Sequence, residues 1–217
     1  MKKILVCLAI LLLVNAFFAR VEVKADFQTS AKAMCLIEKT TGREICSKNE
    51  DEKLPMASTT KIVTALTVLE NCDNLDEKFK VDDRAVGVPG TSIYLIKGEE
   101  LTVRELLYGM MLVSGNDAAT ALALHISNSI EEFCKLMQET ALKAGATNSS
   151  FSNPHGLDEE GHYTTAHDLA LIAAKALQNP TFAEIVSTRE CKISGNEKNS
   201  IRYLKNKNKL LNIFQGA

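Results

Sequence analysis

Apolar residues dominate the start of the chain without periodicity and then fall into short patterned runs. Ile4 to Phe18 is a nearly unbroken apolar stretch behind Lys2 and Lys3, and Val23-Lys24-Ala25 follows with small residues at cleavage spacing. The stretch is short for a membrane-spanning helix, so residues 1–25 are expected to be a removable export signal. Beyond it, 33–37 and 44–47 read as two short strands joined by a turn at Thr40-Thr41-Gly42-Arg43. A charged loop at 49–53 leads into an apolar run, 60–69, that predicts a helix from near Ser58 to about Glu70.

The segment 71–98 is mixed, with a turn region at Val86-Gly87-Val88-Pro89-Gly90. Leu106, Leu107, Met110 and Met111 recur at helical spacing and predict a helix over 103–113, broken by Ser114-Gly115-Asn116. Further helices are expected over 118–126, 130–144 and 166–177, with a short one opened by Asn179-Pro180. Residues 148–163 read as a polar loop, and from Arg189 onward the chain is polar and rich in Lys and Asn. A hairpin followed by many helices is an α+β pattern. Two strands alone make a marginal sheet, so the pattern implies further strands or a partner.

Composition narrows the class. The chain of 217 residues carries a net charge of -2, 6% aromatic residues and no Trp. No basic stripe with interleaved aromatics is present, which argues against nucleic acid as a partner. Beyond Cys7, five cysteines are scattered without a Cys-x-x-Cys, which argues against a disulfide framework or a zinc site. Cys35 and Cys46 could meet across the hairpin, but Cys also serves as a small buried apolar residue.

Ser58-Thr59-Thr60-Lys61 is the first candidate for chemistry. A helix beginning here places Lys61 about one turn from Ser58 on the same face. Burial and the positive helix end would depress the amine pKa, which is what a base for a serine nucleophile requires. The bland alternative is a capping serine beside a solvated lysine. Ser114-Gly115-Asn116 is the second candidate, with Asn116 and Asp117 also plausible helix caps. The same three letters recur at Ser194-Gly195-Asn196, in a stretch that reads as a turn. Ser114 differs in lying between two apolar helices.

Five ordered words carry a resemblance: 55–61 (PMASTTK), 97–103 (KGEELTV), 106–119 (LLYGMMLVSGNDAA), 153–157 (NPHGL) and 161–166 (GHYTTA). In these the chain resembles the penicillin-binding serine D-alanyl-D-alanine carboxypeptidases of low molecular mass. The resemblance runs from about Ala31 to Ala217. It implies a serine β-lactamase/DD-peptidase-like α+β fold, an antiparallel sheet with flanking helices and a helical subdomain. It also implies an acyl-enzyme on Ser58, with Lys61 as its general base. Ser114 would relay the proton to the leaving D-alanine, and Asn116 would bind the substrate peptide and hold Lys61. Peptidoglycan stem peptides and β-lactams are the implied partners, with no cofactor and no metal. An extracytoplasmic location follows from the export signal, and peripheral association with the membrane is left open.

The family's third motif, Lys-Thr-Gly or a close variant, is absent. Lys39-Thr40 is followed by Thr41. The expectation is that residues 26–217 form the N-terminal part of a catalytic domain without its C-terminal sheet strands. The chain is then either an incomplete copy of a longer protein or a truncated product with little activity and poor stability. Three rival readings remain. A β-lactamase would use Glu159 or Glu160 as deacylating base. A metal hydrolase would draw on His155, His162 and His167 with Asp158, Glu159, Glu160 and Asp168. A vestigial or wall-binding protein would keep Ser58 and Lys61 as relics.

Overall fold

The computed structural model describes residues 29–196 and 199–214. The expected export signal lies outside the described residues. Residues 31–217 form one compact unit. Its strands are β1 (Met34–Ile37), β2 (Glu44–Lys48), β3 (Lys78–Lys80), β4 (Glu100–Thr102), β5 (Glu190–Asn196) and β6 (Asn199–Lys205). Its helices are α1 (Thr60–Asn71), α2 (Val103–Val113), α3 (Asn116–Ile126), α4 (Ile130–Lys143), α5 (Ala166–Ala176) and α6 (Pro180–Ser187).

Helix α1 is the hub. It packs against α2, α3, α4 and α5, and Thr60, Lys61, Val63, Thr64, Ala65, Leu66, Thr67 and Val68 are all buried. Its β-branched residues are modest helix formers, so packing on nearly every side stabilises it more than propensity does. Helix α2 is set by a reciprocal cap: the Thr102 hydroxyl accepts from Glu105 N, and the Glu105 carboxylate accepts from Thr102 N. Phe133, Leu106, Leu107, Met110, Leu122, Met137 and Ile172 fill the space between the helices.

The strands pair antiparallel in three separate two-stranded sheets, β1–β2, β3–β4 and β5–β6. The first hairpin is where the hydrophobic pattern placed it. Its register sets Cys35 opposite Ser47 and Leu36 opposite Cys46. Opposed residues share a face and neighbours alternate, so Cys35 and Cys46 point to opposite faces and remain free thiols. Leu36 and Ile45 are half exposed. The β3–β4 pair and the β5–β6 hairpin were not legible. Ser194-Gly195-Asn196, expected as a turn, is the end of β5. That hairpin buries Ile193 and Leu204 and packs on α2, where Ser194 N donates to Glu105 Oε1 at 2.8 Å.

Candidate active site

Four side chains converge where α1 meets the junction of α2 and α3. Residues 57–59 form a single 3-10 turn that runs into α1, and this turn holds Ser58 in solvent while Lys61 is 2% exposed. Lys61 Nζ donates to Ser58 Oγ at 3.2 Å. It also donates to Asn116 Oδ1 at 2.8 Å and to the His155 carbonyl at 2.7 Å. Ser114 Oγ donates to Ser58 Oγ at 2.9 Å. All four residues singled out in the sequence therefore meet in one hydrogen-bonded cluster.

The local backbone explains the convergence. Ser114 ends α2 in the left-handed region at φ 68°, which turns its hydroxyl back toward Ser58. Neither Asn116 nor Asp117 acts as the helix cap; Gly115 occupies that position. Asn116 instead bridges, its amide donating to the Pro89 carbonyl at 2.7 Å while its oxygen accepts from Lys61. The approach at Pro89 is close enough that a Cβ on Gly90 would lie 2.5 Å from Asn116 Nδ2. Asp117 is buried and accepts from Ser92 Oγ, Ile93 N, Leu95 N and Ala118 N, so it fixes the loop that passes the site.

Burial is the main reason the Lys61 amine is pushed down, to about 8. The positive charge of Lys207 acts the same way, and the Asp117 carboxylate pushes back. The three acceptors around Nζ have unequal chemistry. The Asn116 and His155 oxygens can only accept, whereas Ser58 can also donate.

Residues beyond the four complete the site. Asn153 holds the loop that presents the His155 carbonyl: its oxygen accepts from Gly156 N at 2.7 Å, and its amide donates to Leu157 O and Glu159 Oε2. Gly156 lies against the turn carrying Ser58. A Cβ there would fall 1.8 Å from the Ala57 carbonyl oxygen. The signal for these residues was the NPHGL word at 153–157, which the pattern reading placed only in a polar loop.

The residues named for the β-lactamase and metal readings have partners of their own. Glu159 is engaged with Asn153, and the Glu160 carbonyl accepts from Ser152 Oγ. Both nitrogens of His162 are occupied by protein groups, Ser152 N and Thr60 Oγ1. Among the described residues, no three His, Cys, Asp or Glu side chains gather as a metal site.

Residues 19–215 match the D-alanyl-D-alanine carboxypeptidase family of peptidases. The chain belongs to that family. Among curated carboxypeptidases, DacF of Bacillus subtilis is 37% identical over 227 residues, covering 100% of this chain and 58% of its own length. DacC of Escherichia coli is 38% identical, covering 75% of this chain and 43% of its own length. The chain thus spans about half the length of these two relatives. A solved D-alanyl-D-alanine carboxypeptidase from Mycobacterium tuberculosis superposes with a TM-score of 0.83 at 28% identity, over 90% of this chain and 74% of that one. A Streptomyces DD-transpeptidase gives 0.77 at 34% identity, over 88% and 79%. Membership in the carboxypeptidase family agrees with the α+β architecture and with the five words of sequence.

Proposed function

We propose that this chain acts as a serine-type D-Ala-D-Ala carboxypeptidase on peptidoglycan stem peptides, and that β-lactams acylate the same serine. The observation that carries the proposal is the Lys61 amine, buried, with a lowered pKa, and held between Ser58 Oγ and two carbonyl acceptors. A neutral amine keeps two N–H groups and one lone pair. Asn116 and His155 take the two N–H groups, which aims the lone pair at Ser58, the one partner able to give a proton.

In the proposed reaction Ser58 Oγ attacks the carbonyl carbon of the penultimate D-alanine while its proton passes to Lys61. The carbonyl oxygen gains negative charge, and the Ser58 backbone N–H is one donor to it. Ser114 relays that proton from Lys61 to the leaving nitrogen as the C–N bond breaks and D-alanine departs, which returns Lys61 to its neutral form. Neutral Lys61 then takes a proton from the water that attacks the Ser58 ester, and that proton goes to Ser58 Oγ as the ester C–O bond breaks, which frees the enzyme and the shortened peptide acid. The second hydrogen of the Asn116 amide is the group that binds the substrate peptide. Reading these roles onto Ser58, Lys61, Ser114 and Asn116 is supported by their distances and by the family.

Residues 1–25 are proposed as the export signal and 26–217 as catalytic-domain sequence. This places the reaction outside the cytoplasm, where the wall is; among the described residues no helix is long and apolar enough to cross a membrane. The test is covalent labelling. A fluorescent penicillin is expected to add its mass to the folded wild-type chain on the Ser58 peptide, and not to Ser58→Ala. A folded wild type that takes no label overturns the proposal.

A further inference from the structure

Lys61, Ser114 and Asn116 do not by themselves hold the turn that carries Ser58. Ala57, directly before it, sits at φ 46°, in the left-handed region that a non-glycine residue enters only under strain. Its carbonyl is pinned from two sides. Gly156 packs against it with no room for a side chain. On the other side, Thr60 gives it both a backbone N–H and a hydroxyl, the latter at 2.8 Å.

The Thr60 hydroxyl is itself directed. It lies 2.9 Å from His162 Nε2. His162 Nδ1 lies 3.0 Å from Ser152 N, and a backbone N–H can only donate. Nδ1 is therefore unprotonated, the neutral ring carries its hydrogen on Nε2, and that hydrogen goes to Thr60 Oγ1. The single Thr60 hydrogen is then committed to Ala57 O. Every bond from Ser152 through His162 and Thr60 to Ala57 has one direction. Burial favours the neutral ring and pushes its pKa down, while Asp158 and Glu159 push it back up. The ring is 5% exposed, with Phe151 edge-on at 6.2 Å.

We infer that His162 is a positioning residue for Ser58, acting through Thr60 to hold the Ala57 carbonyl and with it the reactive turn. One segment, 152–162, thereby grips both members of the Ser58–Lys61 pair: the His155 carbonyl holds the lysine, and His162 holds the serine. The inference rests on the serine chemistry proposed above, but its structural half stands without it.

The experiment compares wild type with Thr60→Val, Thr60→Ser, His162→Ala and the double variant Thr60→Val/His162→Ala. Two readouts are taken on samples that melt cooperatively. The first is the second-order rate constant of acylation by fluorescent penicillin. Thr60→Val and His162→Ala are each expected to lower it about tenfold or more, Thr60→Ser to stay within about twofold of wild type, and the double variant to be no slower than Thr60→Val. Fully additive losses overturn the inference, because two groups acting through one carbonyl cannot lose it twice. The second readout needs no reactivity. In spectra of chain labelled with nitrogen-15 histidine, His162 is expected as the Nε2–H tautomer, with its Nε2 signal displaced in Thr60→Val. The Thr60→Val crystal structure is expected to show the Ala57 carbonyl rotated and Ser58 Oγ withdrawn from Lys61. A wild type inert to penicillin defeats the proposed function. An unchanged Ala57 turn in Thr60→Val, or a His162 protonated on Nδ1, defeats this inference.

Discussion

The Nζ of Lys61 lies closer to the carbonyl oxygen of His155, at 2.7 Å, than to the hydroxyl of Ser58, at 3.2 Å. The amine is thus held by a backbone atom 94 positions away as firmly as by its partner in the Ser-x-x-Lys motif. That arrangement keeps Nζ in place when its proton is lost, since the carbonyl goes on accepting from a neutral amine.

A base that loses its proton near pH 8 gives a signature in rate. Acylation by penicillin is expected to rise with pH through about 8 and level above it, since only neutral Lys61 accepts the Ser58 proton. Lys207→Met removes a positive neighbour, so the rising limb moves to higher pH. Asp117→Asn removes a negative one and moves it to lower pH. Lys61→Arg keeps the charge but cannot deprotonate, and loses about 10²–10⁴ in rate at every pH. Stopped-flow labelling over pH 6 to 10 checks all four.

Gly156→Ala is expected to be among the most damaging single-methyl additions in the chain. The position has φ +93°, and the new carbon would meet the Ala57 carbonyl at 1.8 Å. Strain and overpacking together predict a loss of roughly 3–5 kcal/mol. Urea denaturation measures it, and the folded fraction should label poorly because the Ser58 turn must shift.

Arg202 and Glu99 form a pair whose side chains are 9% and 5% exposed, with contacts of 2.6 and 2.9 Å. The guanidinium also donates to the carbonyls of Ile93, Tyr94 and Ser194. Removing one partner strands a buried charge, so Arg202→Met should cost roughly 3–5 kcal/mol. Adding Glu99→Gln to Arg202→Met should recover part of that loss. Chemical denaturation of the two variants decides it: a double variant less stable than Arg202→Met would refute the pairing account.

Two serines share the letters Ser-Gly-Asn, and the fold separates them. Ser114→Ala removes a hydroxyl 2.9 Å from Ser58 and is expected to slow labelling about 10²-fold. Ser194→Ala lies in β5, tied to α2 through its backbone N–H, and should leave the rate within about twofold. Parallel labelling time courses distinguish them.

The helices were legible because each buries a face at regular spacing. Leu106, Leu107 and Met110 announce α2 with the bounds the structure shows. The hairpin β5–β6 was not, because one of its faces meets solvent: Tyr203 and Ile201 are exposed, while Ile193, Leu204 and Arg202 are buried. Strands β3 and β4 have three residues each, too few for a period to register. In the site, Ser58 and Lys61 were legible from one helical turn. Asn116, 55 positions from Lys61, was legible as part of a second candidate motif, but its hold on Lys61 came only with the family words. The His155 carbonyl was illegible in principle, since a backbone oxygen has no letter of its own. His162 was read as a metal candidate from its type, and only the direction of its hydrogen bonds reassigns it.

The long span of the Arg202 clamp has a consequence for the order in which the molecule is assembled. Arg202 follows Ile93 by 109 positions and Glu99 by 103. During synthesis the ribosome therefore delivers Ser58, Lys61, Ser114 and Asn116 long before the residue that fastens the loop over them. A nascent chain holds its whole reactive set well before Arg202 and gains a rigid site only once that residue is in place. Reactivity then waits on a long-range closure, and the reactive letters alone do not confer it.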